Sequence, residues 1–194
     1  MKLKNNWIQS LILGSLLLFS NLSYGQTGPS LVGYWHNWNA VEAPFIPLDE
    51  IDSTYNVIVI SFALPTSPSD MSMTFAPEQY TQSAFIADIQ ALQNEGKKVL
   101  LSIGGATGVI NLTDNIQKQN FITSLNNLIA TYGFDGLDID IEHGDGIFAS
   151  GTISSPTNVG TLNLISAIQS IMSTFQSTYG HKMWLTMAPE TAYV

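Results

Sequence analysis

The sequence predicts a parallel α/β fold, and three observations carry that expectation. Five short β-rich segments recur along the chain: "SLVGYWHNW" (30–38), "YNVIVISFA" (55–63), "KKVLLSIGG" (97–105), "FDGLDIDIE" (134–142) and "KMWLTMAPE" (182–190). Stretches with the apolar period of a helix separate the last four, and such alternation builds parallel βα units. The helix-to-strand links are tight ("NEGK", "TYGF", "YGHK"), whereas the strand-to-helix links are long ("LPTSPSDMSMTFAP", "GGATGVINLT", "HGDGIFASGTISSP"). Parallel α/β proteins build their sites from loops at the carboxyl ends of the strands. That holds for a closed barrel and for an open doubly wound sheet, so loop length does not choose between them.

Each element has its own justification. The strands are short and mostly β-rich, and they end in polar or small residues. The first connection, "NAVEAPFIPLDEIDST", lacks a helical period and is expected to be irregular. The first helix presents Phe85, Ile89 and Leu92 on one face, and the second presents Ile122, Leu125, Leu128, Ile129 and Tyr132. The third presents Ile165, Ile168, Met172 and Phe175. Such stripes are expected to pack against the sheet. No internal repeat beyond the βα unit and no interdomain linker is visible.

Composition narrows the partners. Of 194 residues 45% are hydrophobic and 11% charged, which suits one folded domain with a sizeable core. There is no Arg, and six Lys leave a net charge of −9. That balance argues against nucleic acid or an anionic membrane surface and is compatible with a neutral polymer. The chain has no Cys, which excludes disulfides and thiol chemistry. At the N-terminus Lys2 and Lys4 precede an apolar run from Leu11 to Phe19. Ser23 and Gly25 then stand at −3 and −1 of a cut before Gln26. Residues 1–25 therefore read as a cleaved signal peptide, and residues 26–194 as one secreted, non-membrane domain.

The densest chemical signal is "FDGLDIDIEH" (134–143). It holds Asp135, Asp138, Asp140 and Glu142, four of the chain's 15 acidic residues. Alternation along a strand puts Asp138, Asp140 and Glu142 on one face and Leu137, Ile139 and Ile141 on the other. The apolar face can pack on helices, so the carboxylates point to the strand-bounded interior, where unpaired charge costs several kcal/mol. Same-face neighbours lie about 7 Å apart at Cα. Their titrations should couple, leaving at least one protonated near neutral pH, as a general acid requires. Glu142 is nearest the open end. A calcium loop counted from Asp138 fails, because position 6 is His143 and position 12 is Ala149 rather than Gly and Glu. His36, His143 and His181 have no metal-ligand spacing, and no metal or cofactor is expected.

"DGLDIDIE" resembles the DGxDxDxE signature of glycoside hydrolase family 18, the chitinase family. "SIGG" (102–105) resembles that family's SxGG motif, and "GYWHNW" and "LTMAPE" resemble segments of its bacterial members. The likeness runs from Leu31 to Val194. It implies a (β/α)8 TIM-type barrel, here cut after about five strands, and a substrate-assisted chitinase acting on chitin or chitooligosaccharides. It further implies that Glu142 is the proton donor, that Asp140 orients the substrate acetamide, and that Asp138 tunes Asp140. Tyr34 and Ser102 would support Asp138 through their hydroxyls. Asp135 is expected to be structural, Gly136 to leave room in the interior and Trp184 to pack. Trp35, Trp38, Met187 and Glu190 are candidates for lining the sugar cleft, since aromatic faces suit pyranose rings. The alternatives are an N-glycan endo-β-N-acetylglucosaminidase, which shares the acidic signature, and a non-catalytic glycan-binding relative. Retention of Asp140 and Glu142 argues against the latter.

Overall fold

The computed structural model describes residues 29–142, 150–152 and 154–189. The chain divides into two units, Met1–Ser30 and Leu31–Val194, and every element named below belongs to the second. The signal-peptide expectation lies outside the described residues.

In chain order the elements are β1 (Val32–His36), β2 (Val57–Pro65), β3 (Met73–Thr74), α1 (Gln82–Asn94), β4 (Lys98–Gly104), α2 (Asn115–Tyr132), β5 (Gly136–Asp140), β6 (Gly151–Thr152), β7 (Ser155–Pro156), α3 (Val159–Tyr179) and β8 (Trp184–Met187). The five expected strands are β1, β2, β4, β5 and β8. They pair side by side in that order, all parallel. The first connection holds only a 3-10 turn, Leu48–Glu50, and so is irregular as expected, although Leu48 is fully buried. Two features went unpredicted. β3 pairs antiparallel with the end of β2, and β6 and β7 form a small hairpin. Two-residue strands are too short to carry a periodic signal.

Local chemistry sets the helix limits. Thr81, Asp114 and Asn158 cap the three N-termini, each side chain accepting a hydrogen bond from the backbone N–H three residues on. Gly133 and Gly180, both at φ +75°, end α2 and α3 in the left-handed conformation and allow the tight turns into β5 and β8.

The main core lies between the helices and one face of the sheet. Phe85, Phe121 and Phe134 are fully buried there against Leu101, Ile103 and Leu137. Each contributes about 1.5–3 kcal/mol by burial. The α3 stripe packs as expected at Ile168, Met172 and Phe175 but not at Ile165. Its buried face is Ala167, Ile168, Ile171 and Phe175, while Ile165 is 44% exposed. Ile165 shares its exposure with Leu162, 47% exposed. The opposite face of the sheet carries a second, smaller cluster of Val57, Val59 and Leu100 with Trp184 packed on it. Trp184 therefore packs as expected, on the inner face. Among the described residues no helix is long and apolar enough to cross a membrane.

Candidate active site

The site grows from the inner face of β5. Leu137 is fully buried in the helix-side core, and Ile139 packs against that core. Alternation then turns Asp138 to the inner face, one layer above the apolar cluster. Ile141 is buried on the helix side as well, so the alternation continues past the ladder and sets Glu142 on the side of Asp138 and Asp140. Asp138 is 1% exposed, whereas Asp140 and Glu142 are half-buried.

Three hydroxyls from three strands meet the Asp138 carboxylate. Tyr34 of β1 donates to Oδ2 at 3.0 Å, and Ser102 of β4 donates to the same oxygen at 2.8 Å. Thr186 of β8 donates to Oδ1 at 2.6 Å. An ionised carboxylate only accepts, so three O–H donors suit it. Burial raises the Tyr34 hydroxyl pKa well above its ordinary value, and the negative charges of Asp138 and Asp140 raise it further. The charge of Asp140 is therefore felt at Tyr34, and the hydroxyl stays a donor through the neutral range.

The two glycines of "SIGG" have a mechanical reason. Gly104 pairs with Asp140 across the β4–β5 ladder, and a side chain on it would collide with the Asp140 carbonyl. Gly105 donates its N–H to that same carbonyl at 2.6 Å, and a Cβ there would press into the Phe62 ring at 2.8 Å. The motif thus brings the end of β4 against the backbone that carries Asp140. Gly136 serves a related purpose and corrects an expectation. The space beside it is taken by the backbone carbonyl of Trp184 on the neighbouring strand, not left open in the interior.

Other sequence candidates sort by face. Trp35 is not in the cleft. It is 5% exposed on the helix side, its Nε1–H donates to the Ile46 carbonyl at 2.7 Å, and its ring packs edge-on to Phe45. The reason is alternation: Tyr34 reaches Asp138, so its neighbour must face the other way. Met187 is displaced by the same rule. It pairs with Ile139, on the face opposite Thr186, and is 60% exposed there. Trp38, beyond the end of β1, is 40% exposed and lies nearly parallel to Phe62 at 6.2 Å. Glu190 and His143 lie outside the described residues. His36 binds the Ala43 carbonyl and His181 packs beside Phe175. Asp135 is structural, as expected. It sits at the far end of β5, paired with Lys98 at 2.8 Å and accepting from the Val99 N–H at 3.0 Å.

The residue that sequence reading missed is Thr186. Its one signal in the sequence is that "LTMAP" places a hydroxyl within the last strand. A Thr in a strand is ordinary, however, and parity alone does not say which face is inside.

Comparison with known proteins follows this geometry. The family model "Glycosyl hydrolases family 18" matches residues 30–194. Chitinase Chi52 of Paenibacillus xylanexedens is 44% identical over 173 residues, covering 88% of this chain and 32% of that protein. Chitinase D of Niallia circulans is 42% identical over 187 residues, covering 93% and 35%. A solved family GH18 chitinase from Chromobacterium violaceum superposes with a TM-score of 0.73 at 36% identity. The match covers 85% of this chain and 41% of that one. The chain therefore spans about a third of the length of these curated relatives. Its five parallel strands with outer helices form part of a (β/α)8 barrel.

Proposed function

We propose, from the premise that this chain belongs to glycosyl hydrolases family 18, that it supplies the acidic catalytic strand of a chitinase cleaving β-1,4-linked N-acetylglucosamine. The observation that carries the reading is the buried Asp138 held by three hydroxyls, with Asp140 and Glu142 following on the same side toward the open end. Both relatives are chitinases by name, which supports the same activity.

In this mechanism Glu142 gives its proton to the glycosidic oxygen as the bond to the anomeric carbon breaks. The acetamide oxygen of the same sugar attacks that carbon and closes an oxazolinium-like ring, so the nucleophile belongs to the substrate. Asp140 orients the acetamide and balances the positive charge that develops on it. Asp138, braced by Tyr34, Ser102 and Thr186, holds its own charge behind Asp140. Ionised Glu142 then takes a proton from the water that opens the ring, and the configuration at the anomeric carbon is retained.

The test is Glu142→Gln in the full-length protein. It keeps shape and hydrogen bonding but has no proton to give. Cleavage of chitotetraose should fall by about 10²–10⁴ while oligomer binding survives. A variant that cleaves at the wild-type rate would sink the assignment. The reading includes export: the positive start, apolar run and small-residue cut support removal of residues 1–25. N-terminal sequencing of secreted material should begin at Gln26, and intact Met1 on a membrane-bound product would reject it.

A further inference from the structure

We infer that Thr186 is a positioning residue for the buried carboxylate, acting on the one oxygen of Asp138 that the other two hydroxyls leave to it. The inference rests on the hydrolase reading above and deepens it. Tyr34 and Ser102 both bind Oδ2, and a carboxylate held by one oxygen still turns about its Cβ–Cγ bond. Thr186 binds Oδ1 at 2.6 Å, the short range of a hydroxyl donating to a charged acceptor. Donors on both oxygens fix the plane.

The fold places this hydroxyl firmly. Thr186 is level with Asp138 in the β5–β8 ladder. β8 is tied to β5 on both sides of it: the Trp184 N–H donates to the Asp135 carbonyl at 3.1 Å, and the Ala188 N–H to the Ile139 carbonyl at 3.0 Å. A β-branched side chain also has few rotamers, so the hydroxyl is aimed before substrate arrives. The neighbours Leu185 and Met187 face the other way, which leaves Thr186 as the residue of β8 that reaches this layer. Asp140 is next along the same face, about 7 Å away at Cα. The direction of the Asp138 carboxylate therefore sets the field that Asp140 works in. With Oδ1 released, the carboxylate turns, and the step that Asp140 assists slows. Substrate meets Asp140 and Glu142 rather than Thr186, so binding is spared.

The experiment compares Thr186→Val, Thr186→Ser and Glu142→Gln in the full-length protein, with kcat and KM measured separately on chitotetraose. Valine keeps the branched shape without the donor. We expect kcat to fall about ten- to hundredfold with KM within about threefold, and Thr186→Ser to recover kcat to within about threefold of wild type. Thr186→Val turning over at the wild-type rate overturns the inference. So does a rise in KM that accounts for the whole loss of kcat/KM, because the hydroxyl would then serve binding. If Thr186→Val does not fold, Thr186→Ala is read by the same criteria, and a folded Thr186→Ser as slow as Thr186→Ala overturns the inference. Glu142→Gln separates the two levels. If it remains fully active, the proposed acidic-strand mechanism fails and this inference with it. If it is inactive while Thr186→Val is unimpaired, this inference alone fails.

Discussion

Asp135, just before β5, and Asp138, within it, stand three residues apart, and their surroundings are opposites. Asp135 is matched by a full positive charge and by main-chain and amide donors. Lys98 lies at 2.8 Å, Gln93 at 2.9 Å and the Val99 N–H at 3.0 Å. Asp138, on the other face and nearer the open end, is more deeply buried and is met by three neutral hydroxyls. Among the described residues the ion pairs are Lys98 with Asp135 and Lys97 with Glu95, both away from Asp138. At Asp135 the charge is cancelled, and the group serves to hold β4 and β5 together. At Asp138 the donors are neutral hydroxyls, which satisfy the lone pairs and bring no opposing charge to the carboxylate. Buried charge with only neutral donors is costly in a plain core, and its presence beside two more carboxylates marks the working end of the strand.

The largest effect should come from removing the uncancelled charge. Asp138→Asn keeps the volume but offers one acceptor oxygen and an NH2 group to three hydroxyls. Turnover of chitotetraose should fall by about 10²-fold, and urea denaturation should register a loss of about 1–3 kcal/mol. An Asp138→Asn enzyme with wild-type turnover would break the comparison. A smaller, purely structural effect is expected at the other end. Asp135→Asn should lower the melting temperature by about 2–4 °C, as a loss near 1 kcal/mol does in a chain of this size. Its kcat should match wild type. Added salt should narrow the stability gap, because it screens the Lys98 pair. A turnover defect in Asp135→Asn would show that the two carboxylates are not divided as described.

The smallest effect concerns pH. The Tyr34 hydroxyl pKa is raised in the fold, chiefly by burial and then by the charges of Asp138 and Asp140, and burial pushes Tyr80 up to about 12. Above about pH 10 the unfolded chain loses tyrosine protons that the folded chain keeps. The unfolded state then binds fewer protons, so stability falls as pH rises beyond that point. Tyr34→Phe should flatten this fall between about pH 10 and 11.5 relative to wild type. Parallel stability curves for the two proteins would mean that the fold does not raise the Tyr34 hydroxyl pKa.

How far the sequence reached is clearest on β5 and its two flanking strands. Alternation placed Asp138 and Asp140 on one face and Leu137 and Ile139 on the other. The cluster of carboxylates fixed which face was inner, because charge cannot share the helix-side core. The apolar stripes of the helices recur within a few residues, so the helices were legible locally, and the caps Thr81, Asp114 and Asn158 and the terminators Gly133 and Gly180 set their ends through bonds of the same short range. β1 and β8 carry no such marker. Their sequences determine that Tyr34 opposes Trp35 and that Thr186 opposes Met187, but either member of each pair could face inward. Tertiary pairing decided it. Tyr34 and Thr186 are within reach of Asp138, which left Trp35 to the core and Met187 to the outer face. Gly136 gives the same lesson, since the atom that needs its missing side chain belongs to a residue 48 positions away, Trp184. Periodicity and capping are properties of neighbouring residues and can be read from their order. Which strand lies beside which, and at what register, depends on how sheet and helices pack together, and only the folded chain determines it.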